Sequence, residues 1–141
     1  CGLEGANSRE FAAEGTEIKH PVVSLLEEQR DVKQKGGSMR LGAQDVILLP
    51  GTKLYRIYNK KEVIRERFRH RYEINPSYVK RLEKGGVKFS ARSKQGIVQA
   101  FELKDHPFFI GVQYHPEFLS RPEKPSPLFV EFLKEAVKWG R

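Results

Sequence analysis

Alternating strand and helix signals along 141 residues predict an α/β protein, a mixed central sheet flanked by helices. Three observations carry that expectation. Short apolar runs are bounded by Gly, Pro and Asn; one strongly amphipathic helix pattern stands near the carboxyl end; and 38% apolar residues, with nine Phe, five Tyr and one Trp, suffice to fill a single core.

The elements follow in order. Pro21 to Leu26 (PVVSLL) reads as a short strand, and after a Gly36-Gly37 turn Arg40 to Leu49 (RLGAQDVILL) ends as a buried strand would. Thr52 can cap a short helix through Tyr58. Asn75-Pro76 opens another through Lys84, stopped by Gly85-Gly86. Strands are predicted over Val87 to Ser90, Ile97 to Leu103 and Phe108 to Tyr114. Ser126-Pro127 starts the last helix, whose Leu128, Phe129, Phe132, Leu133, Ala136 and Val137 form a wide apolar stripe before Gly140.

Glu62 to Asn75 (EVIRERFRHRYEIN) is also predicted to be a strand. Period two then puts Arg65, Arg67, Arg69 and Arg71 on one face, with Ile64, Phe68 and Tyr72 on the other. Such a face is either a solvated or subunit-contact surface, or a place where a guanidinium grips a carboxylate or phosphate with its two-pronged donors.

The net charge is +8, but 18 acidic residues are mixed among 26 basic ones, so charge alone indicates solubility and polyanion contacts, not a fold. A lone cysteine cannot form an internal disulfide, no run approaches the roughly 18 apolar residues of a membrane span, and no secretory signal pattern opens the chain. The expected location is the cytoplasm.

The chemical signal is sharpest at Phe109 to Phe118 (FIGVQYHPEF). Pro116 cannot continue a strand ladder, so His115 should stand at a strand's carboxyl end, where open α/β sheets keep their sites. Glu117, two residues on, can hold one imidazole nitrogen and leave the other free as a base. The arrangement supplies the base and its orienter but no nucleophile. The competing possibility is that His115 only ties down a loop. His20 and His106 each precede a proline and read as turn residues, while His70 is ambiguous.

GANSREF, GGSMRLGAQ, RHRYEIN and QYHPEF, in that order, closely resemble the carboxyl-terminal glutaminase domain of the CTP synthases, a class I, triad-type glutamine amidotransferase of flavodoxin-like fold. The likeness runs from about Gly5 to Phe132. It implies that His115 is the general base and acid of a Cys-His-Glu triad and Glu117 its orienter. Glu10 then receives the amino group of glutamine, Arg71 lies near its carboxylate, and Arg40 matches a position linked to the activator GTP. Arg9, Ser38 and Phe68 depart from the family's usual residues. The family's nucleophile elbow, Gly-x-Cys-x-Gly-x-Gln, is expected upstream of Cys1, so residues 1–141 would be part of a glutaminase domain, inert alone. Ammonia would pass to a separate synthetase domain that uses ATP with magnesium to aminate UTP to CTP. The resemblance implies no cofactor in this segment, neither membrane nor nucleic-acid partner, and a homo-oligomer, tetrameric in the family.

Cys-Gly-Leu-Glu-Gly also resembles the start of the glutaminase class whose terminal cysteine is the nucleophile. That class needs a hydrophobic strand directly after the cysteine, and Glu4 to Glu10 is polar; Leu3 stands where an elbow would require glycine. A catalytic Cys1 and a noncatalytic basic module binding a polyanion are therefore the alternatives to a triad-type glutaminase.

Overall fold

A computed structural model of the chain describes residues 1–12, 15–25 and 39–140. The strands in chain order are β1 (Ala6–Ser8), β2 (His20–Ser24), β3 (Arg40–Leu48), β4 (Val63–His70), β5 (Glu73–Ile74), β6 (Val87–Arg92), β7 (Val98–Leu103) and β8 (Ile110–Val112). The α-helices are α1 (Lys53–Ile57), α2 (Val79–Lys84) and α3 (Pro127–Trp139), and single 3₁₀ turns cover Arg9–Phe11, Pro76–Tyr78 and Pro116–Phe118. Leu26 and the expected Gly36-Gly37 turn lie outside the described residues.

The mixed α/β class is borne out, with the strands divided between two sheets. One has the order β1-β2-β5, its first pair parallel and its second antiparallel. The other has the order β4-β3-β6-β7-β8 and is antiparallel throughout. Its core comprises Val46 and Leu48 of β3, Ile64 and Phe68 of β4, Ala91 and Ala100 of β6 and β7, Leu54 and Tyr58 around α1, Tyr114, and Leu128 of α3. Each large apolar side chain so buried contributes about 1.5–3 kcal/mol. Gly111 allows β8 to lie flush on β7, since a Cβ there would fall 2.5 Å from the Phe101 ring.

Local signals act where expected. Thr52 caps α1, its Oγ1 accepting from the Tyr55 N–H at 3.1 Å. Glu102, buried on β7, also faces the α1 amino end and accepts from the Lys53 and Leu54 N–H groups. Asn75 caps the 3₁₀ turn that leads into α2.

Two expectations are corrected. The stretch Glu62 to Asn75 is not one strand. β4 stops at His70, where the register with Arg40 exhausts its partner strand, and β5 joins β2 in the other sheet. Arg65, Arg67 and Arg69 are exposed on one face as period two requires, but Arg71 has left that row and sits half-buried in the bend. The second correction concerns α3. Of its apolar stripe only Leu128 is buried, while Phe129, Phe132, Leu133 and Val137 remain exposed.

Candidate active site

His115 lies three residues beyond β8, in the turn that carries the chain from one edge of the five-stranded sheet back to the other. Its backbone N–H donates to the Arg67 carbonyl of β4 at 2.9 Å. Pro116 opens a 3₁₀ turn, a position that requires no N–H, and this turn folds Glu117 back onto the ring. His115 Nδ1 stands 2.7 Å from Glu117 Oε1, and the imidazole stacks on Phe118 with centroids 4.7 Å apart and planes 10° off parallel. The contact holds the Glu117 carboxyl below its ordinary range, chiefly through the His115 hydrogen bond. Nε2 has no partner among the described residues, and with 36% of the side chain exposed the ring edge is open to an approaching group. The site lies at a strand's carboxyl end as expected, but that strand is the edge of an antiparallel sheet, so the general rule for parallel sheets is not what places it.

The neighbouring residue anchors this loop. Tyr114 is buried, its hydroxyl donating to Tyr58 Oη at 3.3 Å, and Tyr58 in turn donates to Glu66 Oε1 at 3.0 Å. Burial pushes both phenol pKa values far up and raises the Glu66 carboxyl, with the Tyr58 hydrogen bond opposing that rise. A cleft of ≈ 520 Å³, lined by Met39, Leu41, Arg67, Arg69 and Phe118, opens beside the stacked ring.

The remaining candidates are placed by the small sheet and the chain entering it. In the small sheet Ser8 pairs with Val23, and Val23 with Ile74, so both Glu10, just past β1, and Arg71, just before β5, lie off the carboxyl end of β2. Glu10 is exposed in a 3₁₀ turn capped by Ser8 Oγ, which accepts its N–H at 3.2 Å. Arg71 makes no ion pair among the described residues, and its Nε is buried without a partner. Arg40, matched to a position linked to GTP, has its Nε on the carboxylate of Glu73. Gln113 Nε2 reaches the Tyr72 carbonyl at 3.5 Å, joining the Arg71 bend to the His115 strand.

Cys1 is exposed and rests on Gly85, where a Cβ would overlap its sulfur. Along β6-β7-β8, Gly85 precedes the Val87–Leu103 end, whereas His115 follows the Ala100–Val112 end. The thiol and the imidazole are therefore at opposite ends of the sheet.

Glu73, Gln113, Tyr58 and Glu66 escaped the sequence reading. For Glu66 and His70 a signal existed: they alternate with Ile64 and Phe68, so polar groups occupied positions that period two turns inward. Glu73 carried no such signal, because it belongs to a different sheet.

The family model for class-I glutamine amidotransferases matches residues 8–135. The chain is 55% identical over 139 residues to the CTP synthase of Methanopyrus kandleri, covering 99% of this chain and 25% of that protein. It is 51% identical over 145 residues to the CTP synthase of Thermus thermophilus, covering 99% of this chain and 26% of that protein. It thus spans about a quarter of the length of these curated relatives. Among solved structures, the glutaminase domain of Trypanosoma brucei CTPS, with bound acivicin, superposes with a TM-score of 0.85 at 38% identity, covering 97% of this chain and 52% of that one. From motifs, geometry and these matches together, the chain belongs to the class-I glutamine amidotransferase family.

Proposed function

We propose that this chain is part of the glutaminase domain of a CTP synthase and supplies the His-Glu pair that activates a cysteine thiol for glutamine hydrolysis. The observation that carries this is the imidazole of His115, held through Nδ1 by Glu117 and left partly exposed, with no partner for Nε2 among the described residues. Nε2 takes the proton of a thiol, the thiolate attacks the glutamine carboxamide, and the same nitrogen returns the proton to the departing ammonia. A water, deprotonated by His115, then hydrolyses the thioester to glutamate and regenerates the thiol. Glu117 keeps the proton-bearing Nδ1 facing away from the reaction. Glu10 and Arg71, off the same end of β2, are complementary to the ammonium and carboxylate of a free amino acid.

The cysteine is to be sought in a Gly-x-Cys-x-Gly-x-Gln elbow preceding the Ala-Asn-Ser motif in the longer protein. Ammonia is consumed by a synthetase domain that phosphorylates UTP with ATP and magnesium and releases CTP. Among the described residues no cluster of three or more His, Cys, Asp or Glu side chains is placed to hold a metal ion. GTP activation through Arg40, assembly into a homo-oligomer and a cytoplasmic location complete the reading. No helix among the described residues is long and apolar enough to cross a membrane.

The test is labelling of the full-length protein with an alkylating glutamine analogue. Modification of an elbow cysteine, lost in a His115→Ala variant, supports the reading; modification of Cys1 overturns it in favour of a terminal-cysteine hydrolase. Arg40→Ala should abolish stimulation by GTP, and full retention of stimulation would remove Arg40 from that role.

A further inference from the structure

Arg71 occupies a two-residue bend, Arg71 and Tyr72, through which the chain leaves the five-stranded sheet and enters the three-stranded one. The residues on either side of the bend touch. His70 Nε2 lies 3.0 Å from Glu73 Oε1 without making a hydrogen bond, while the same oxygen accepts from the Nε of Arg40, the first residue of β3. Glu73 has no exposed surface, and its Oε2 is buried without a hydrogen-bond partner among the described residues. A buried carboxylate persists only when cations and donors compensate for its lost hydration. Here that compensation comes from Arg40, on the five-stranded-sheet side of the bend, and not from Arg71 itself. Gln113 holds the Tyr72 carbonyl from a position two residues before His115.

We propose that Glu73 is a positioning residue for the amino-acid substrate: by clasping Arg40, the strand partner of His70, it closes the bend and holds the Arg71 guanidinium at a set distance from His115. The clasp leaves Arg71 without a competing carboxylate and therefore free for the substrate's own. This rests on reading Arg71 as the group that binds the carboxylate of glutamine. Opening the bend moves Arg71 while leaving the His115-Glu117 pair, built from its own local turn, in place. The consequence is a defect in binding more than in turnover.

The experiment is steady-state kinetics on the full-length enzyme, with glutamine and separately with free ammonia. Glu73→Gln keeps the side chain's size and removes its charge. Because displacement of a binding group by about 1 Å can cost on the order of a hundredfold, the KM for glutamine is expected to rise at least tenfold, with kcat on glutamine changing less than about threefold. Glu73→Asp, which restores the charge, should recover part of that loss. An unchanged KM, or a parallel fall in glutamine-supported and ammonia-supported turnover, overturns the proposal. Should Glu73→Gln fail to fold, Arg40→Ala, assayed with and without GTP, opens the clasp from the other side and carries the same expectation and the same refutation. Arg71→Ala separates the two readings. If it leaves the glutamine KM unchanged, the role of Arg71 itself falls; if it raises KM while opening the clasp does not, only the role of Glu73 falls.

Discussion

Two His-Glu pairs stand some forty-five residues apart in this chain, and their fates differ. His115 and Glu117 meet at 2.7 Å on the rim, with roughly a third and a half of their side chains exposed; His70 and Glu73 meet at 3.0 Å with Glu73 wholly buried. The rim pair is made within one 3₁₀ turn, needs little from the rest of the fold and leaves a ring edge accessible. The buried pair forms where two sheets meet, shares its carboxylate with Arg40 and offers no open edge. Similar distances therefore serve different ends: exposure suits an imidazole for proton transfer, whereas enclosure suits it for holding backbone in place.

The largest expected effect breaks the comparison on its rim side. His115→Ala in the full-length enzyme should lower glutamine-dependent turnover by roughly 10³-fold, within the span of general acid-base catalysis, while turnover on free ammonia persists. Equal loss of both would mark a folding defect. Phe68→Ala strikes both pairs, because its ring packs 5.5 Å from His70 and 6.0 Å from Tyr114 and is 1% exposed. A drop of about 3–5 kcal/mol in unfolding free energy is expected in chemical denaturation.

A finer test uses pH. The Glu117 carboxyl lies below its ordinary value of 4.5, so the rim pair's contribution is whole above that value and disappears as pH falls through the depressed one. Glu117→Gln should lower glutamine-supported turnover about a hundredfold and leave ammonia use intact. Glu66 behaves with the opposite sign. Its raised value means that the stability it lends is whole at low pH and is lost as pH rises through that value. Glu66→Gln should flatten the dependence of melting temperature on pH as pH rises above the ordinary carboxyl value of 4.5, and an unchanged slope would refute the assignment. The smallest effect belongs to the exposed Arg65-Asp45 pair at 2.9 Å, where Asp45→Asn should leave the melting temperature within experimental scatter.

Much of the fold was legible locally. The Thr52 cap, the Pro127 helix start, the Asn75-Pro76 opening and the alternation of β4 all arise from residues a few positions apart, and the structure shows each. The end of β4 was not legible, because it depends on where β3 begins, thirty residues earlier. Nor was the exposure of α3, whose stripe has the period of a buried helix while its surroundings among the described residues cover only Leu128.

The primary sequence on its own determined the class of structure and the rim pair, since Pro116 and a two-residue spacing confine His115 and Glu117 to one turn whatever surrounds them. Tertiary structure decided which strands share a sheet, that Arg71 leaves the arginine row, and that Glu73 closes on Arg40. The reason is physical. A turn is settled by the torsions of three or four residues, but strand partnership is settled by many weak long-range contacts summed over the whole chain, and no single residue carries that sum.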